Sequence, residues 1–326
     1  MTDVATSRPA SRASTLDAGR RARWRWRRRS RLLSRGSRVT MWAGVLIGLA
    51  VYVLFGLVPM VGNVVISFTN YTALPSAAVN NVGFSNYSSM FSSQSAGFEP
   101  AVIATLVFVV AVTIGQNAVA LLLAHRLQGT GRAAAVGRVL VFLPIALGVT
   151  IVGLVWILIF NAQQGPAASL LSLFGAHSAF FGSDSWAMPL VIFVQIWQNA
   201  GFSTLVFIGG LRTIDPQIYE AAGMDGVTAW QRLRRITWPL LASAVTANVL
   251  LAVVGAFTTY NLIYVLTDGQ YGTQTLGMLA FNEAFGNYQA NLGFGAAVSV
   301  FLFLMTLIVA LPLMALLRYR ERRLLT

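Results

Sequence analysis

The side chains that could do acid–base or metal chemistry are few and scattered along this sequence. The chain has no cysteine and two histidines, His125 and His177, and neither stands beside a pair of acidic residues. A zinc site needs three or four such ligands close together, so no metal is expected. The peptide GFST at 201–204 is a weak match to the serine turn of hydrolases. We therefore predict that the chain alone is not an enzyme.

Lysine is absent as well, because all 23 basic residues are arginine. A phosphate-binding loop of the common nucleotide-binding type needs a lysine to reach the nucleotide phosphates. The chain therefore lacks such a loop, and no cofactor is expected. Any ATP chemistry that it serves must belong to another subunit.

The composition is that of a membrane protein. Hydrophobic residues make up 56% of the chain and charged residues 10%, whereas a soluble domain carries about 25% charged residues. A membrane-spanning helix needs about 20 largely apolar residues. We predict an all-α, polytopic membrane protein with six transmembrane helices, at roughly 42–67, 101–124, 139–160, 187–211, 240–266 and 295–317.

The arginines predict which side of the membrane each connection faces. Twelve precede the first span, and the others lie in alternate connections and after the last span, whereas the remaining three connections contain acidic residues and no arginine. Cytoplasmic segments are enriched in arginine, so both termini are predicted to be cytoplasmic and the protein to lie in the inner membrane. The chain then consists of a basic tail at 1–38, a membrane domain at 39–318 and a short basic tail at 319–326.

The arginine-rich tail, predicted to be largely disordered, allows two interpretations. Arginines alternating with Trp24 and Trp26 could bind nucleic acid through phosphates and stacked bases. The same residues could instead orient the chain and rest on anionic lipid. Because the tail directly precedes a span, we favour the lipid bilayer and expect no nucleic acid.

Uncharged polar residues lie inside several predicted spans, including Gln116, Asn117, Gln195 and Thr259. They could form hydrogen bonds between helices, or together they could line a path for a neutral, polyhydroxylated solute. Span centres without ionisable residues disfavour a transporter that uses an acidic proton relay.

The segment 212–239 interrupts the apolar sequence with a definite pattern of charges. Asp215 followed by Pro216 predicts the start of a helix. Gly223 and the pair Asp225-Gly226 predict a turn, and Thr228 with Gln231 predicts a capping box that starts a second helix. This helix would present one apolar face, formed by Trp230, Leu233, Ile236 and Leu240. The segment could be a docking element or an ordinary amphipathic connector.

The same segment resembles a known family. It is similar to the "EAA" signature of permease subunits of binding-protein-dependent ABC importers. The matching residues are Glu220-Ala221-Ala222, with Gly226, Ile236 and Pro239 at the matching spacing. Leucine is usual in the family at the position of Trp238. The resemblance runs from about residue 45 to the C-terminus, through VGFSNYSSMF at 82–91, IWQNAGF at 196–202 and YNLIYVLTDG at 260–269. It is strongest with the sugar-importing branch related to the maltose and glycerol-3-phosphate systems.

The resemblance implies a type I importer permease fold, a carbohydrate or similar neutral solute, and several partners. These are a second homologous permease, two ABC ATPase subunits and an extracytoplasmic substrate-binding protein. It implies that segment 212–239 couples to the ATPase through Glu220, Ala221, Ala222, Asp225 and Gly226. The residues that align with the substrate path of the maltose-type permease, or adjoin it, are Gln198, Asn199, Phe202, Thr258 and Thr259.

Two other functions remain open from the sequence. A membrane anchor or assembly protein could use the basic tail to recruit nucleic acid or anionic lipid, and deletion of residues 1–30 would then abolish its function. A secondary transporter would continue uptake without any ATPase partner.

Overall fold

The computed structural model describes residues 35–72, 78–92, 97–286 and 290–325, with side chains described from Trp42 to Arg323 within these ranges. The described residues are helical apart from loops and one isolated β-bridge between Thr69 and Asn81. The prediction of an all-α chain is confirmed for this part. The chain divides into two compact units, Met1–Gly62 and Asn63–Thr326.

The first part of the described chain combines long apolar helices with short ones. The α-helices up to the middle of the sequence are α1 (Arg35–Tyr52), α2 (Val58–Ile66), α3 (Ser85–Met90), α4 (Phe98–Leu127), α5 (Arg132–Ala146), α6 (Val149–Ile159) and α7 (Pro166–Ser172). A π-helical turn, Val53–Leu57, connects α1 to α2.

The second half contains the charged loop and the helices that flank it. Its α-helices are α8 (Ala187–Arg212), α9 (Pro216–Met224), α10 (Ala229–Arg232), α11 (Trp238–Leu240), α12 (Ala242–Thr258), α13 (Asn261–Thr267), α14 (Leu276–Phe281) and α15 (Leu292–Leu325). Further π-helical turns lie at Leu233–Thr237 and Asn282–Gly286, and a 3-10 turn at Phe180–Gly182.

Four continuous helices among the described residues are long and apolar enough to cross a membrane: Trp42–Ile66, Phe98–Leu127, Ala187–Arg212 and Leu292–Arg323. Two further pairs pass the same test only when both members are taken together. These pairs are bent, α5 and α6 by 100° and the segment Ala229–Leu240 and α12 by 75°. Hydropathy therefore found the apolar segments, and the segments predicted as spans at 139–160 and 240–266 each contain more than one helix.

The bends have local causes. Pro144 has no N–H to donate near the end of α5, and Leu147 and Gly148 then adopt extended backbone angles before α6 begins. Leu241 leaves helical geometry between α11 and α12. Thr259 is extended at the end of α12, so the predicted fifth span stops short of residue 266 and α13 starts a new direction.

The largest apolar core forms where α4, α8 and α12 pack together with the short helices α6 and α13. Its fully buried members include Phe108, Val191, Phe257 and Ile263. Helices α5 and α8 approach so closely that a Cβ added at Gly201 would overlap the backbone carbonyl of Val141. Helix α8 is therefore held on several sides before it enters the charged loop.

The predicted terminal tails are described only in part. The basic tail at 1–38 lies outside the described residues up to residue 34, and α1 begins at Arg35. At the other end, α15 continues through the predicted short tail as far as Leu325.

Candidate functional site

The loop between α8 and α12 begins with a capped helix. The Asp215 carboxylate accepts a hydrogen bond from the backbone N–H of Gln217 at 2.9 Å, and Pro216 occupies the first helical turn. A cap of this kind stabilises a helix by about 1 kcal/mol. The predicted start of α9 is confirmed, and α9 contains Glu220, Ala221 and Ala222.

A glycine turn joins α9 to the second helix. Gly226 has a φ of +69°, in the left-handed region that glycine enters at little cost. Thr228 then starts α10 with the predicted capping box: its hydroxyl accepts from Gln231 N at 3.3 Å, and its own N–H donates to Gln231 Oε1 at 3.0 Å. Both helix starts and the turn were therefore readable from the sequence.

The inner face of the loop is packed against the membrane helices. Ile214 and Ala222 are buried at 7% and 6% exposure, and Ile214 belongs to a core cluster with residues of α4, α8 and α12. The hydroxyls of Tyr219 and Thr237 lie 3.3 Å apart. The guanidinium of Arg232 lies over the Tyr219 ring, 5.9 Å from its centroid. These contacts connect both ends of the loop to the helices that carry it.

The outer face of the loop is exposed. Glu220, Ala221, Asp225 and Gly226 are all exposed, and Met224 is 90% exposed. Four of the five residues predicted to couple to an ATPase therefore share an accessible surface at the tip, whereas Ala222 faces inward. This surface combines two carboxylates with small side chains and one long apolar side chain.

The second half of the loop differs from its prediction. Residues 233–237 form a π-helical turn rather than a continuous α-helix. An inserted residue shifts the side-chain register, so the α-helical spacing that predicts one apolar face does not continue from Trp230 through Leu233 and Ile236 to Leu240. Trp230 is 67% exposed, and it lines a groove together with Leu233 and Trp238. The apolar spacing alone gave no sign of this turn.

The residues predicted to line a substrate path do not all face the same environment. Gln198 and Thr259 are buried, Asn199 is half-buried, and Phe202 and Thr258 are exposed. The Thr259 hydroxyl accepts a hydrogen bond from Gln195 Nε2 at 3.2 Å and donates to the Gly255 carbonyl. Thr259 thus joins α8 to the break after α12.

A buried polar contact between three helices was missed by the sequence analysis. Gln116 in α4 donates to the hydroxyl of Ser203 in α8 at 2.8 Å. The side-chain amide of Asn248 in α12 donates to the backbone carbonyl of Ser203 at 3.0 Å. Asn248 is fully buried, and its Oδ1 has no hydrogen-bond partner in the described part of the chain. The sequence offered one signal of this contact, an asparagine within the apolar segment predicted as the fifth span.

The described residues contain no group of three or more histidine, aspartate or glutamate side chains able to hold a metal ion. No charged side chain is buried among these residues.

Comparison with known proteins defines the class. Residues 116–326 match the family described as binding-protein-dependent transport system inner membrane component. The chain belongs to this family of membrane permeases, whose members are transport subunits rather than enzymes.

Particular relatives carry more specific descriptions. The chain is 30% identical to the trehalose/maltose transport system permease protein MalF of Thermococcus litoralis, over 84% of this chain and 92% of that protein. It is 28% identical to the multiple sugar-binding transport system permease protein MsmF of Streptococcus mutans, over 82% and 92%. It is 32% identical to the sn-glycerol-3-phosphate transport system permease protein UgpA of Rhizobium meliloti, over 68% and 75%.

Solved structures share the fold. A chain of a bacterial ABC transporter involved in importing the acidic polysaccharide alginate matches with a TM-score of 0.73 and 21% identity, over 88% of this chain and 96% of that chain. A second structure of a bacterial alginate ABC transporter, in complex with a pentasaccharide-bound periplasmic protein, matches with a TM-score of 0.74 and 22% identity, over 90% and 98%. The chain has the fold of these importer permeases.

Proposed function

We propose that the chain is one transmembrane subunit of an ATP-driven importer for a carbohydrate or a similar neutral solute. A second, homologous permease completes the pathway, and two ATPase subunits dock on the cytoplasmic side. A substrate-binding protein delivers the solute from outside. The family match supports the general class, and the descriptions of two relatives, which name trehalose, maltose and multiple sugars, support the solute class.

The single observation that carries the coupling proposal is the division of the loop into two faces. Its inner face, through Ile214 and Tyr219, packs on the membrane helices. Its outer face exposes Glu220, Ala221 and Asp225. A partner that moved the tip would therefore move the ends of α8 and α12, because the packed inner face transmits the displacement.

In the proposed topology, the two bent pairs each count as one span, and together with the four continuous helices they give six. Both termini and the loop 212–239 then face the cytoplasm, in agreement with the distribution of arginine. The protein lies in the inner membrane.

The proposed solute path runs along α8 and the break after α12. Phe202 and Thr258 are exposed, and Asn199 is half-buried, so these three side chains can contact a solute directly. Gln198 and Thr259 are buried and would shape the path from behind. Uncharged amides, hydroxyls and an aromatic ring suit a neutral sugar better than an ion.

The test is to reconstitute the chain with its partner subunits and to change only the tip of the loop. Glu220→Arg reverses a charge, and Ala221→Trp adds bulk, both at exposed positions. We expect uptake and binding-protein-stimulated ATP hydrolysis to fall at least about tenfold in each variant, because the ATPase would no longer fit the tip. The matched control is Thr130→Trp in the exposed connection between α4 and α5, which should transport normally. Normal coupling in both tip variants would refute the assignment.

A further inference from the structure

A deep groove opens between α4, α12, the second half of the charged loop and the end of α15. Its volume is about 980 Å³, near the upper end of the range for small-molecule sites. Its walls are mainly apolar, with Leu121 and Leu122 on one side and Val245 and Val249 on the other. Such a lining suits hydrocarbon and offers few partners to a sugar.

The lining of the groove is also basic and aromatic. It includes two arginines, Arg234 and Arg320, and two tryptophans, Trp230 and Trp238. Both guanidiniums are exposed, and neither takes part in an ion pair or hydrogen bond within the described part of the chain. Arginine binds phosphate oxygens in a bidentate manner, and tryptophan is enriched at the level of lipid headgroups.

The length of the groove matches one leaflet of a bilayer. On α4 it extends from Thr113 to Leu122, about nine helical steps and therefore about 14 Å. The hydrocarbon core of a bilayer is about 30 Å thick, so a single leaflet is about 15 Å. A spanning helix of a second permease would need about twice this length. An acyl chain anchored by its headgroup needs only this much.

We propose that this groove binds an anionic phospholipid of the cytoplasmic leaflet. The lipid phosphate lies between Arg234 and Arg320, the two tryptophans flank the glycerol region, and an acyl chain lies along α4 and α12. The leaflet follows from the proposed orientation of the chain, whereas the groove and its chemistry do not depend on it. Basic pockets between transmembrane helices on the cytoplasmic side bind anionic headgroups in the same way.

The position of the groove gives the lipid a specific consequence. Arg234 and Trp230 belong to the second half of the charged loop, while Arg320 belongs to α15. A phosphate held by both arginines would join the loop to the last helix. The bound lipid would therefore stabilise the loop against the end of the bundle.

The experiment measures lipid retention by the full chain. The chain is purified from mixed vesicles of phosphatidylglycerol and phosphatidylcholine, and the bound lipids are counted by native mass spectrometry. We expect phosphatidylglycerol to be retained about tenfold over phosphatidylcholine. The double variant Arg234→Gln/Arg320→Gln should lose most of this preference. The matched control, Arg235→Gln/Arg318→Gln, removes the same charge from exposed neighbours outside the groove and should keep it.

A second variant tests the apolar part of the groove. Val249→Trp fills the groove without changing a charge and should reduce retention of phosphatidylglycerol at least about fivefold. Equal retention of the two lipids, or equal loss in the two arginine pairs, would overturn the proposal. Displacement of the bound lipid by inorganic phosphate would also overturn it, because the groove would then be a free-anion site. Loss of the lipid on addition of the second permease would overturn it as well, because the occupant would then be a protein. None of these outcomes depends on transport activity.

Discussion

The hydroxyl of Tyr219 lies 3.3 Å from the hydroxyl of Thr237, and this pair joins the two halves of the charged loop. Tyr219 belongs to α9, which begins at Pro216, whereas Thr237 ends the π-helical turn that leads into α11. The exposed turn at Gly226 separates them in sequence. The two halves of the loop are therefore in contact at its base, whereas its tip is exposed.

Removal of this contact should loosen the base of the loop. We expect Tyr219→Phe to lower the stability of the purified chain by about 0.5–1.5 kcal/mol, the usual contribution of one hydrogen bond. Tyr319→Phe, at an exposed position on α15, is the matched control and should have no effect. Thermal unfolding in detergent measures both variants. Equal unfolding temperatures for the two would contradict a structural role of the Tyr219 hydroxyl.

Two glycines of the loop should respond differently to the same substitution. An added Cβ would have no heavy atom within 4 Å at either Gly223 or Gly226, but only Gly226 has a positive φ. Gly226→Ala should therefore destabilise the chain by about 1 kcal/mol, through backbone strain alone. Gly223→Ala should be neutral or stabilising, because it lies in α9. Thermal unfolding distinguishes them, and a reversed order would count against the turn geometry.

The contact between α5 and α8 should depend on one glycine. A Cβ at Gly201 would overlap the carbonyl of Val141 and come within 3.0 Å of the Cα of Phe142, both in the backbone, whereas Gly209 in the same helix faces open space. We expect Gly201→Ala to cost about 1–3 kcal/mol, as overpacking usually does. Gly209→Ala should cost nothing. The yield of folded protein and its unfolding temperature are the readouts, and normal stability of Gly201→Ala would show that the helices are further apart.

The buried Asn248 should tolerate an apolar residue better than a charge. Asn248→Leu loses one hydrogen bond, to the Ser203 carbonyl, and also removes the unpaired Oδ1 atom. Its expected cost is about 1 kcal/mol or less. Asn248→Asp places a carboxylate next to that carbonyl, where no charged partner is buried, and should cost several kcal/mol. If the two variants unfolded alike, Asn248 would have to be exposed to water.

Glu283 should make stability depend on pH. Partial burial raises the pKa of Glu283 above its ordinary value of 4.5, so the folded chain binds this proton more tightly than the unfolded chain. Stability from this group is then complete below about pH 4.5 and decreases as the pH rises through the folded pKa. Glu283→Gln should remove this decrease, whereas Glu99→Gln, at an exposed position in α4, should leave it unchanged. Unfolding measured between pH 4 and 8 tests the sign.

The features that the sequence predicted well are those with short-range physical causes. The Asp215 cap, the Thr228 capping box and the positive φ of Gly226 each depend on residues within one helical turn. The apolar spans were also located, because hydropathy reports directly whether a segment tolerates lipid.

The features that the sequence missed depend on neighbours distant in the chain. Hydropathy measures the length of an apolar segment but not the direction of its axis, so the 100° bend after Pro144 was not predicted. A proline in a membrane helix can be accommodated without a break, and packing decides the outcome. The partner of Asn248 is a carbonyl 45 positions away in sequence. The π-helical turn at Leu233–Thr237 likewise leaves the composition of its segment unchanged.

The two sides of the charged loop differ in the continuity of their helices. Helix α8 runs without a break from Ala187 to Arg212, whereas the other side of the loop bends by 75° at Leu241 and its helix is interrupted again at Thr259. A displacement of the tip would therefore move α8 as one rigid body. On the α12 side, the same displacement reaches two breaks in the helix, and each break allows it to be converted into rotation. One displacement of the loop would thus produce two different movements in the helices on its two sides.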